Sequence, residues 1–538
     1  MPRPPARWTA PIAALTAVAA GLASYAAFRP DGWWFAAPAA MGLLYLVLAR
    51  TGPWRGFAVA CMFGLAQFLP MLTWALKAAG WLPYLALCLA SAALLALGAP
   101  LYGYARRLFA ARRATPPDAV VFALAFTAAD TFRQFFPFDG FPWGRLGFSQ
   151  VDGPMARWAW LGGVPLVGLA AALAGPLVVA AVLGVLARHR RGTGTGGPGA
   201  ARRWGSAAGA AALAGAVVAG PLALPVETAA EGGELKVGAV QGDVEVTSLG
   251  LFARQREVLE NHVAGSRELA QEVGAGTLDV VLWPENSTDI DPRADAQAYA
   301  AIDSAALALG APVLVGAMEY VGSGNRYNQG LLWLAGLGVA DVYSKRHPAP
   351  FAEYMPARSF FRLFTSKVDL IRTDMLAGDA IGVLDLEAPA LERTVALGDI
   401  ICFEVAYDDI VAATVRAGAE VVVVQTNNAS FGLSEEATQQ FAMTRLRAIE
   451  LGRSTVQIST VGVSAAVAAD GSLITPLTGL FEPAYFTAEL PLRTSLTPAA
   501  LAGRWLAGLI MLLGAALAVA GPVARLAARR GARRGARR

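Results

Sequence analysis

Glu285, Lys345 and Cys402 are the residues of this chain whose types and settings suit chemistry on a carbonyl group. A carboxylate can take a proton, and a thiol freed of its proton can attack a carbonyl carbon. An ammonium can then stabilise the oxyanion that develops. In combination they would carry out acyl transfer through a thioester. Glu285 lies in Leu282-Trp-Pro-Glu-Asn-Ser287, where a proline stops an apolar run and presents the carboxylate at its end. Lys345 lies in Tyr343-Ser-Lys-Arg-His-Pro-Ala-Pro-Phe-Ala-Glu-Tyr354, a Pro-rich loop that also holds Glu353. Cys402 follows the apolar run in Gly398-Asp-Ile-Ile-Cys-Phe-Glu404, where a helix-like segment begins. A helix N-terminus favours a thiolate, which leads to the expectation of a lowered thiol pKa. Taken singly, each residue also has a plain structural reading: a capping carboxylate, a solvated lysine, a small core thiol.

The elements that must position these side chains are short and rich in β-branched residues. Strand-like runs cover Leu235–Val240, Leu278–Trp283, Pro312–Met318, Gly330–Leu334, Val395–Phe403, Ala419–Gln425 and Thr455–Thr460. Helical patterns cover Leu251–Val273, Ala296–Leu309, Ala406–Ala417 and Glu436–Leu451. Runs such as Val421–Val424 are apolar on both faces, as expected of strands buried in the middle of a layered fold. This alternation predicts an α/β layered domain over residues 226–497. Active-site residues in such folds gather at the carboxyl ends of strands, where Glu285 and Cys402 are placed.

The rest of the chain reads differently. Of 538 residues, 55% are hydrophobic and 16% charged, with a mean hydropathy of +0.47. An average soluble protein carries about 25% charged residues. A bilayer-spanning helix needs roughly 20 apolar residues. Segments 9–28, 32–49, 55–76, 81–104, 118–136, 158–187, 205–225 and 499–521 meet that need and predict eight spans. The fifth contains Asp130 and Arg133, which at i, i+3 share a helix face and can pair. Basic residues cluster at Arg3 and Arg7, at Arg50 and Arg55, at Arg106, Arg107, Arg112 and Arg113, and at Arg188, Arg190, Arg191, Arg202 and Arg203. Seven more arginines follow the last apolar run, from Arg525 to Arg538. Under the positive-inside rule these stretches and both termini are cytoplasmic, and the α/β domain is extracytoplasmic. The expected organisation is a seven-helix transmembrane domain over 1–225, the catalytic domain over 226–497, a C-terminal transmembrane helix over 498–524, and an Arg-rich cytoplasmic tail over 525–538.

Several function classes are disfavoured. The Arg-rich tail adjoins an apolar span, so it reads as a membrane anchor and not as a nucleic-acid arm. The run Gly192-Thr-Gly-Thr-Gly-Gly-Pro-Gly199 lacks the Lys-Ser/Thr of a phosphate loop and reads as a cytoplasmic linker. Three cysteines, Cys61, Cys88 and Cys402, allow neither a disulfide framework nor a zinc spacing. Three histidines, His189, His262 and His347, do not suggest a multi-His metal site.

Trp-Pro-Glu285, Lys345 and Ile-Cys402-Phe-Glu404, in that order, resemble the Glu–Lys–Cys triad of the nitrilase, or carbon-nitrogen hydrolase, superfamily. With seven spans before the domain and one after, the chain is similar to its membrane-bound branch, the apolipoprotein N-acyltransferases. Further motifs fit that branch: Gly140-Phe-Pro-Trp143, Gly147-Phe-Ser-Gln-Val-Asp-Gly-Pro154, Val240-Gln-Gly-Asp243, Arg326-Tyr-Asn328, Pro350-Phe-Ala-Glu353 and Asn427-Asn-Ala-Ser-Phe-Gly432. The chain departs from it at Ser430, where the family often has Trp, and at Phe403 and Ser344, where it often has Tyr. These departures leave the acyl-donor preference open.

The resemblance implies an α-helical polytopic membrane domain joined to a nitrilase-like α-β-β-α sandwich. It implies a ping-pong acyltransferase in which Cys402, with Glu285 as base, takes a fatty acyl chain from a phospholipid. Lys345 would stabilise the oxyanion, with the Phe403 backbone N–H as a second donor. The α-amine of an S-diacylglyceryl-cysteine apolipoprotein would then accept the acyl group. Glu353 would steady Lys345 or its loop, and Glu404 would support the site. Trp143, Asn328, Phe351 and Ser430 would meet substrate. The resemblance implies no metal and no cofactor, a phospholipid donor, a lipoprotein acceptor, no nucleic acid, a monomer, and a multi-pass protein of the cytoplasmic (inner) membrane. A membrane-tethered nitrilase-type amidase uses the same triad and is the alternative. A non-enzymatic lipid-binding protein is a further one, against which the complete triad argues.

Overall fold

Two kinds of sequence give two kinds of structure here: long apolar runs form helices, and short β-branched runs form sheets. The computed structural model describes residues 9–30, 32–108, 115–189, 198–244, 255–322, 324–363 and 365–535. The chain divides into two units, one of residues 1–76, 80–225 and 502–538, the other of residues 77–79 and 226–501. Arg3, Arg7, Arg112, Arg113, Arg190, Arg191, residues 192–197 of the Gly-rich run, residues 251–254 of the expected helix and the last two arginines lie outside the described residues.

The first unit is helical. Among the described residues, four helices are long and apolar enough to cross a membrane: Trp81–Ala105, Pro154–Leu186, Gly205–Ala223 and Pro498–Ala524. A fifth is possible if Pro53–Met71 and Thr73–Ala79, bent by 60°, count as one span. Eight spans were expected, and helices do form in all eight regions. The difference is length. Ala10–Ala26 has 17 residues, Ala36–Leu48 has 13 and Pro116–Phe132 has 17, short of the roughly 20 that a full crossing needs. Charged groups inside this unit find partners, as an apolar surrounding favours. Arg133 Nη2 meets Asp130 Oδ1 at 2.8 Å, as the i, i+3 spacing predicts, and Asp130 Oδ2 accepts the Leu146 N–H at 3.0 Å. Asp118 accepts the hydroxyls of Tyr45 at 2.9 Å and Tyr102 at 3.0 Å, a cluster that sequence reasoning did not single out.

The second unit contains two sheets. The first is ordered β12-β1-β2-β3-β4-β5, with β6 paired to β4. Its strands are β1 (Glu234–Gln241), β2 (Val280–Leu282), β3 (Val313–Val321), β4 (Asn325–Leu334), β5 (Gly338–Ser344), β6 (Asp374–Met375) and β12 (Ala484–Pro491). The second is ordered β11-β10-β9-β8-β7. Its strands are β7 (Val383–Ala388), β8 (Arg393–Ile401), β9 (Val421–Thr426), β10 (Thr455–Ser459) and β11 (Ala465–Val467). The centres, β1-β2-β3 and β8-β9-β10, are parallel.

Alternation of side chains divides each strand between two cores. Leu235, Val237, Val280, Leu282 and Leu314 of the first sheet pack with Leu384, Leu386, Leu397, Val421, Val423 and Ile458 of the second. Val240, Val281, Trp283, Val313 and Val315 point the other way, onto the helices Gln255–Val273 and Ala296–Leu309. On the far face of the second sheet, Ala437, Phe441 and Ala448 of the helix Glu436–Leu451 pack with Ala465 and Val467. The result is the expected α-β-β-α sandwich. The helix Ala296–Leu309 has the predicted bounds, capped by Asp295, whose side chain accepts two backbone N–H groups, and ended by Gly310 in the left-handed region.

Leu397 is fully buried between the sheets. Leu397→Ala is expected to cost about 2–5 kcal/mol, lowering the thermal midpoint of the detergent-solubilised protein. An unchanged midpoint would contradict this core assignment.

Candidate active site

The site forms where parallel strands of both sheets end. Pro284 and Glu285 follow β2 in the first sheet, and Cys402 follows β8 in the second. Side chains tie the two ends together: Gln425 Nε2 donates to the Trp283 carbonyl at 2.6 Å, and Thr460 Oγ1 donates to the Glu285 carbonyl at 3.0 Å. Gly316 of β3 allows Glu285 its place, because a Cβ there would lie 2.2 Å from the Pro284 carbonyl oxygen.

The strand expected to run to Phe403 stops at Ile401, because Cys402 adopts a φ of 55°. That left-handed conformation is uncommon for a residue with a side chain and marks functional turns. A five-residue 3-10 turn, Cys402–Ala406, follows, and the helix expected from Ala406 begins at Asp408.

Glu285 is 4% exposed and Lys345 1%. Glu285 Oε1 accepts Asn328 Nδ2 at 2.7 Å and Lys345 Nζ at 3.2 Å. Lys345 Nζ also donates to Glu353 Oε1 at 2.7 Å, and Glu353 Oε2 accepts the Ala349 N–H at 2.6 Å. The ammonium is thus held between two carboxylates. Burial pushes the Glu285 carboxyl up, against the Lys345 charge and with the Glu353 charge. Burial alone would lower Lys345, but the two carboxylates hold it well above the ordinary lysine value and so charged.

The Glu285 carboxyl acts electrostatically on the Cys402 thiol. Its sulfur lies 3.4 Å from Thr426 Oγ1 and 3.6 Å from Gln440 Nε2. The expected lowering of its pKa is not found. Burial, reinforced by the Glu285 charge, pushes the thiol well up; one 3-10 turn is too short to outweigh this. The resting nucleophile is therefore a neutral thiol beside a base, which must lose its proton as it attacks.

Glu404 holds the nucleophile and the lysine loop in one frame. Its Oε2 accepts the Ile401 N–H at 2.8 Å, on the strand that delivers Cys402. Its Oε1 accepts the N–H groups of Arg346 and His347 at 2.7 and 3.0 Å, immediately after Lys345. The Tyr343 hydroxyl donates to both oxygens. Every one of these partners is a donor, which suits the ionised, acceptor-only carboxylate.

Glu285, Lys345, Cys402, Glu353, Glu404 and Asn328 therefore converge. Phe403 adjoins the nucleophile, with its ring 5.6 Å from that of Tyr407. Phe351 is exposed and packs edge-on against Phe361 at 5.0 Å. Ser430 is exposed on the turn Ala429–Phe431. Trp143 belongs to the helical unit, buried with its ring 5.3 Å from that of Trp74. Thr426, Gln440 and Glu436 around the sulfur were not foreseen, because they arrive from β9 and from a helix of ordinary amphipathic pattern. Among the described residues, no group of three or more His, Cys, Asp or Glu could hold a metal ion.

A family model described as apolipoprotein N-acyltransferase N-terminal domain matches residues 20–177, and one described as carbon-nitrogen hydrolase matches residues 236–495. An apolipoprotein N-acyltransferase of Mycolicibacterium smegmatis is 35% identical over 519 residues, covering 94% of this chain and 84% of that one. Another from Azotobacter vinelandii is 33% identical over 532 residues, covering 94% of each. Among solved structures, a mutant of the Nesterenkonia AN1 amidase from the nitrilase superfamily matches with a TM-score of 0.37 and 16% identity, over 52% of this chain and 98% of that one.

Two measurements check the electrostatics. A thiol with a raised pKa is mostly protonated at neutral pH, and its reactive thiolate grows with pH. Alkylation of Cys402 by iodoacetamide is therefore expected to climb past pH 9 without a plateau; a plateau below pH 7 would show a thiolate at rest. Lys345→Met leaves the buried Glu285 carboxylate and the partly buried Glu353 carboxylate without the cation between them. Breaking such a buried pair is expected to cost about 3–5 kcal/mol, read as a fall in thermal midpoint, and unchanged stability would contradict the arrangement.

Proposed function

The chain belongs to the apolipoprotein N-acyltransferase family, and from that premise we propose how its own residues perform the reaction. It is a membrane-embedded acyltransferase of lipoprotein maturation. The acyl donor is a membrane phospholipid and the acceptor is the α-amine of an S-diacylglyceryl-cysteine apolipoprotein. The observation that carries the assignment of roles is the buried cluster in which Glu285 bonds to Lys345 and acts electrostatically on the Cys402 thiol.

In the first half-reaction Glu285 takes the thiol proton as sulfur attacks the ester carbonyl. Lys345, charged and fixed by Glu353, stabilises the oxyanion, and loss of one such donor typically costs about 2.7–4 kcal/mol of transition-state stabilisation. The tetrahedral intermediate collapses to the acyl-thioester. The lysophospholipid alkoxide leaves with the proton that Glu285 held. In the second half-reaction the amine attacks the thioester carbonyl, Glu285 takes its proton, and the sulfur leaves and recovers that proton. Glu404 is a positioning residue, acting through the backbone of Ile401 and Arg346. Phe351 and Phe403 would meet acyl chains, and Ser430 with Phe403 would shape the lipid entrance. Supporting this placement, Phe351, Phe360 and Leu363 are exposed apolar side chains close in sequence, suited to a lipid surface.

The α/β unit is proposed to lie on the extracytoplasmic side of the cytoplasmic membrane, with both termini inside and the protein acting as a monomer. The distribution of arginines supports this orientation.

Cys402→Ala is expected to abolish N-acylation of a reporter lipoprotein in cells lacking any other copy, read by mass spectrometry of the lipoprotein N-terminus. Full N-acylation by that variant would refute the thioester route. Release of ammonia from small amides, with no acyl-thioester formed from phospholipid, would favour an amidase.

A further inference from the structure

The helix Glu436–Leu451 brings one more carboxyl to the site, and the triad chemistry does not use it. Glu436 is 2% exposed, and its Oε2 accepts no hydrogen bond. Gln440 follows it by four residues, so the two side chains share a helix face. Gln440 Nε2 lies 3.6 Å from the Cys402 sulfur, and that face is therefore the one turned to the nucleophile. The Glu436 charge acts on the Cys402 thiol, and the Glu285 charge acts on Glu436. Burial, with Glu285 adding to it, holds the Glu436 carboxyl well above the usual carboxylate range, which favours its uncharged form. A buried polar oxygen without a partner is costly, and a substrate group that donates to it removes that cost.

The proton balance of the two half-reactions indicates which substrate group this is. Acylation is balanced: the thiol proton leaves on the alcohol. Aminolysis is not balanced by the triad alone. The acceptor arrives as an ammonium with three protons on nitrogen, and the amide keeps one. Cys402 recovers one through Glu285, and one proton remains.

We propose that Glu436 binds the α-ammonium of the acceptor and takes that remaining proton. The proposal rests on the lipoprotein N-acylation reading above. As the cation arrives it favours the ionised carboxyl, and the resting proton of Glu436 is released to solvent. The ammonium then passes a proton to Oε2, giving a neutral amine. The nitrogen lone pair attacks the thioester carbonyl carbon while Glu285 takes the second proton. The C–S bond breaks, the sulfur regains that proton, and Glu436 is again protonated as at rest. A primary ammonium also occurs in the phosphatidylethanolamine headgroup. That ammonium lies many bonds from the reacting ester, however, whereas the α-nitrogen ends bonded to the very carbon that Cys402 held. A carboxyl facing the sulfur suits the latter.

The test uses the full-length enzyme in lipid nanodiscs and the isosteric variant Glu436→Gln. Three rates are measured: thioester formation on Cys402 from phosphatidylglycerol and from phosphatidylethanolamine, transfer from the acyl-enzyme to a diacylglyceryl-cysteine peptide, and cleavage of the acyl-enzyme by hydroxylamine, which is uncharged at neutral pH. Loss of one charge-assisted hydrogen bond predicts a fall of roughly 10- to 100-fold in transfer to the peptide relative to acylation, expressed mainly in the acceptor KM. Hydroxylamine cleavage should not follow it. The assignment is overturned if peptide transfer is unchanged, or if all three rates fall in parallel, as a structural defect would produce. It is also overturned if only acylation from phosphatidylethanolamine slows. Failure of the unsubstituted protein to form a thioester would instead bring down the acyltransferase reading itself.

Discussion

Burying the Lys345 ammonium between Glu285 and Glu353 is the interaction on which the site depends. A charge removed from water is costly unless it is paired and hydrogen-bonded. Lys345 meets that condition by bonding to both carboxylates at once. The arrangement fixes three things together. It keeps Lys345 positive where an oxyanion would form. It opposes the rise that burial imposes on the Glu285 carboxyl. It also leaves the neutral Cys402 thiol beside a ready base. A site built this way resists assembly in pieces, because each charge is tolerable only when the others are present.

Maintaining that cluster requires two chain segments far apart in sequence to be held in register. Glu404 does so by accepting backbone N–H groups from Ile401 on one side and from Arg346 and His347 on the other. Gly378 contributes in a simpler way: a Cβ there would lie 2.2 Å from the Ser344 carbonyl oxygen, so no larger residue fits against the start of the lysine loop. The apolar core between the sheets supplies the rigid frame, and the left-handed Cys402 turns the thiol out of the strand that delivers it. The helical unit obeys the same rule of polar pairing, with Asp130 on Arg133 and Asp118 under two tyrosine hydroxyls.

Local signals in the chain were strongest for the helix Ala296–Leu309, whose helical pattern has the bounds found in the fold, and for the central strands, with their unbroken β-branched runs. Strands β5, β6, β7, β11 and β12 have no counterpart among the expected runs. Gly338–Ser344 and Val383–Ala388 are half-exposed segments with charges on one side, and only their pairing partners make them strands. Helices form in all eight regions read as spans, and among the described residues four, or five with the bent pair, have the length and composition of a crossing, because composition does not record where a helix ends.

What this sequence settled alone was the identity and order of Glu285, Lys345 and Cys402, the strand ends that carry two of them, and the contrast between apolar and mixed regions. Residue type and local spacing suffice for those features. Tertiary structure alone decided that Cys402 rests as a thiol, since burial and the Glu285 charge outweigh a single 3-10 turn. It also decided that Glu404 joins two loops and that Gln440, one turn on from Glu436, reaches the sulfur. These are effects of charges and donors brought together from separate stretches of the chain, and no local pattern encodes a distance of that kind.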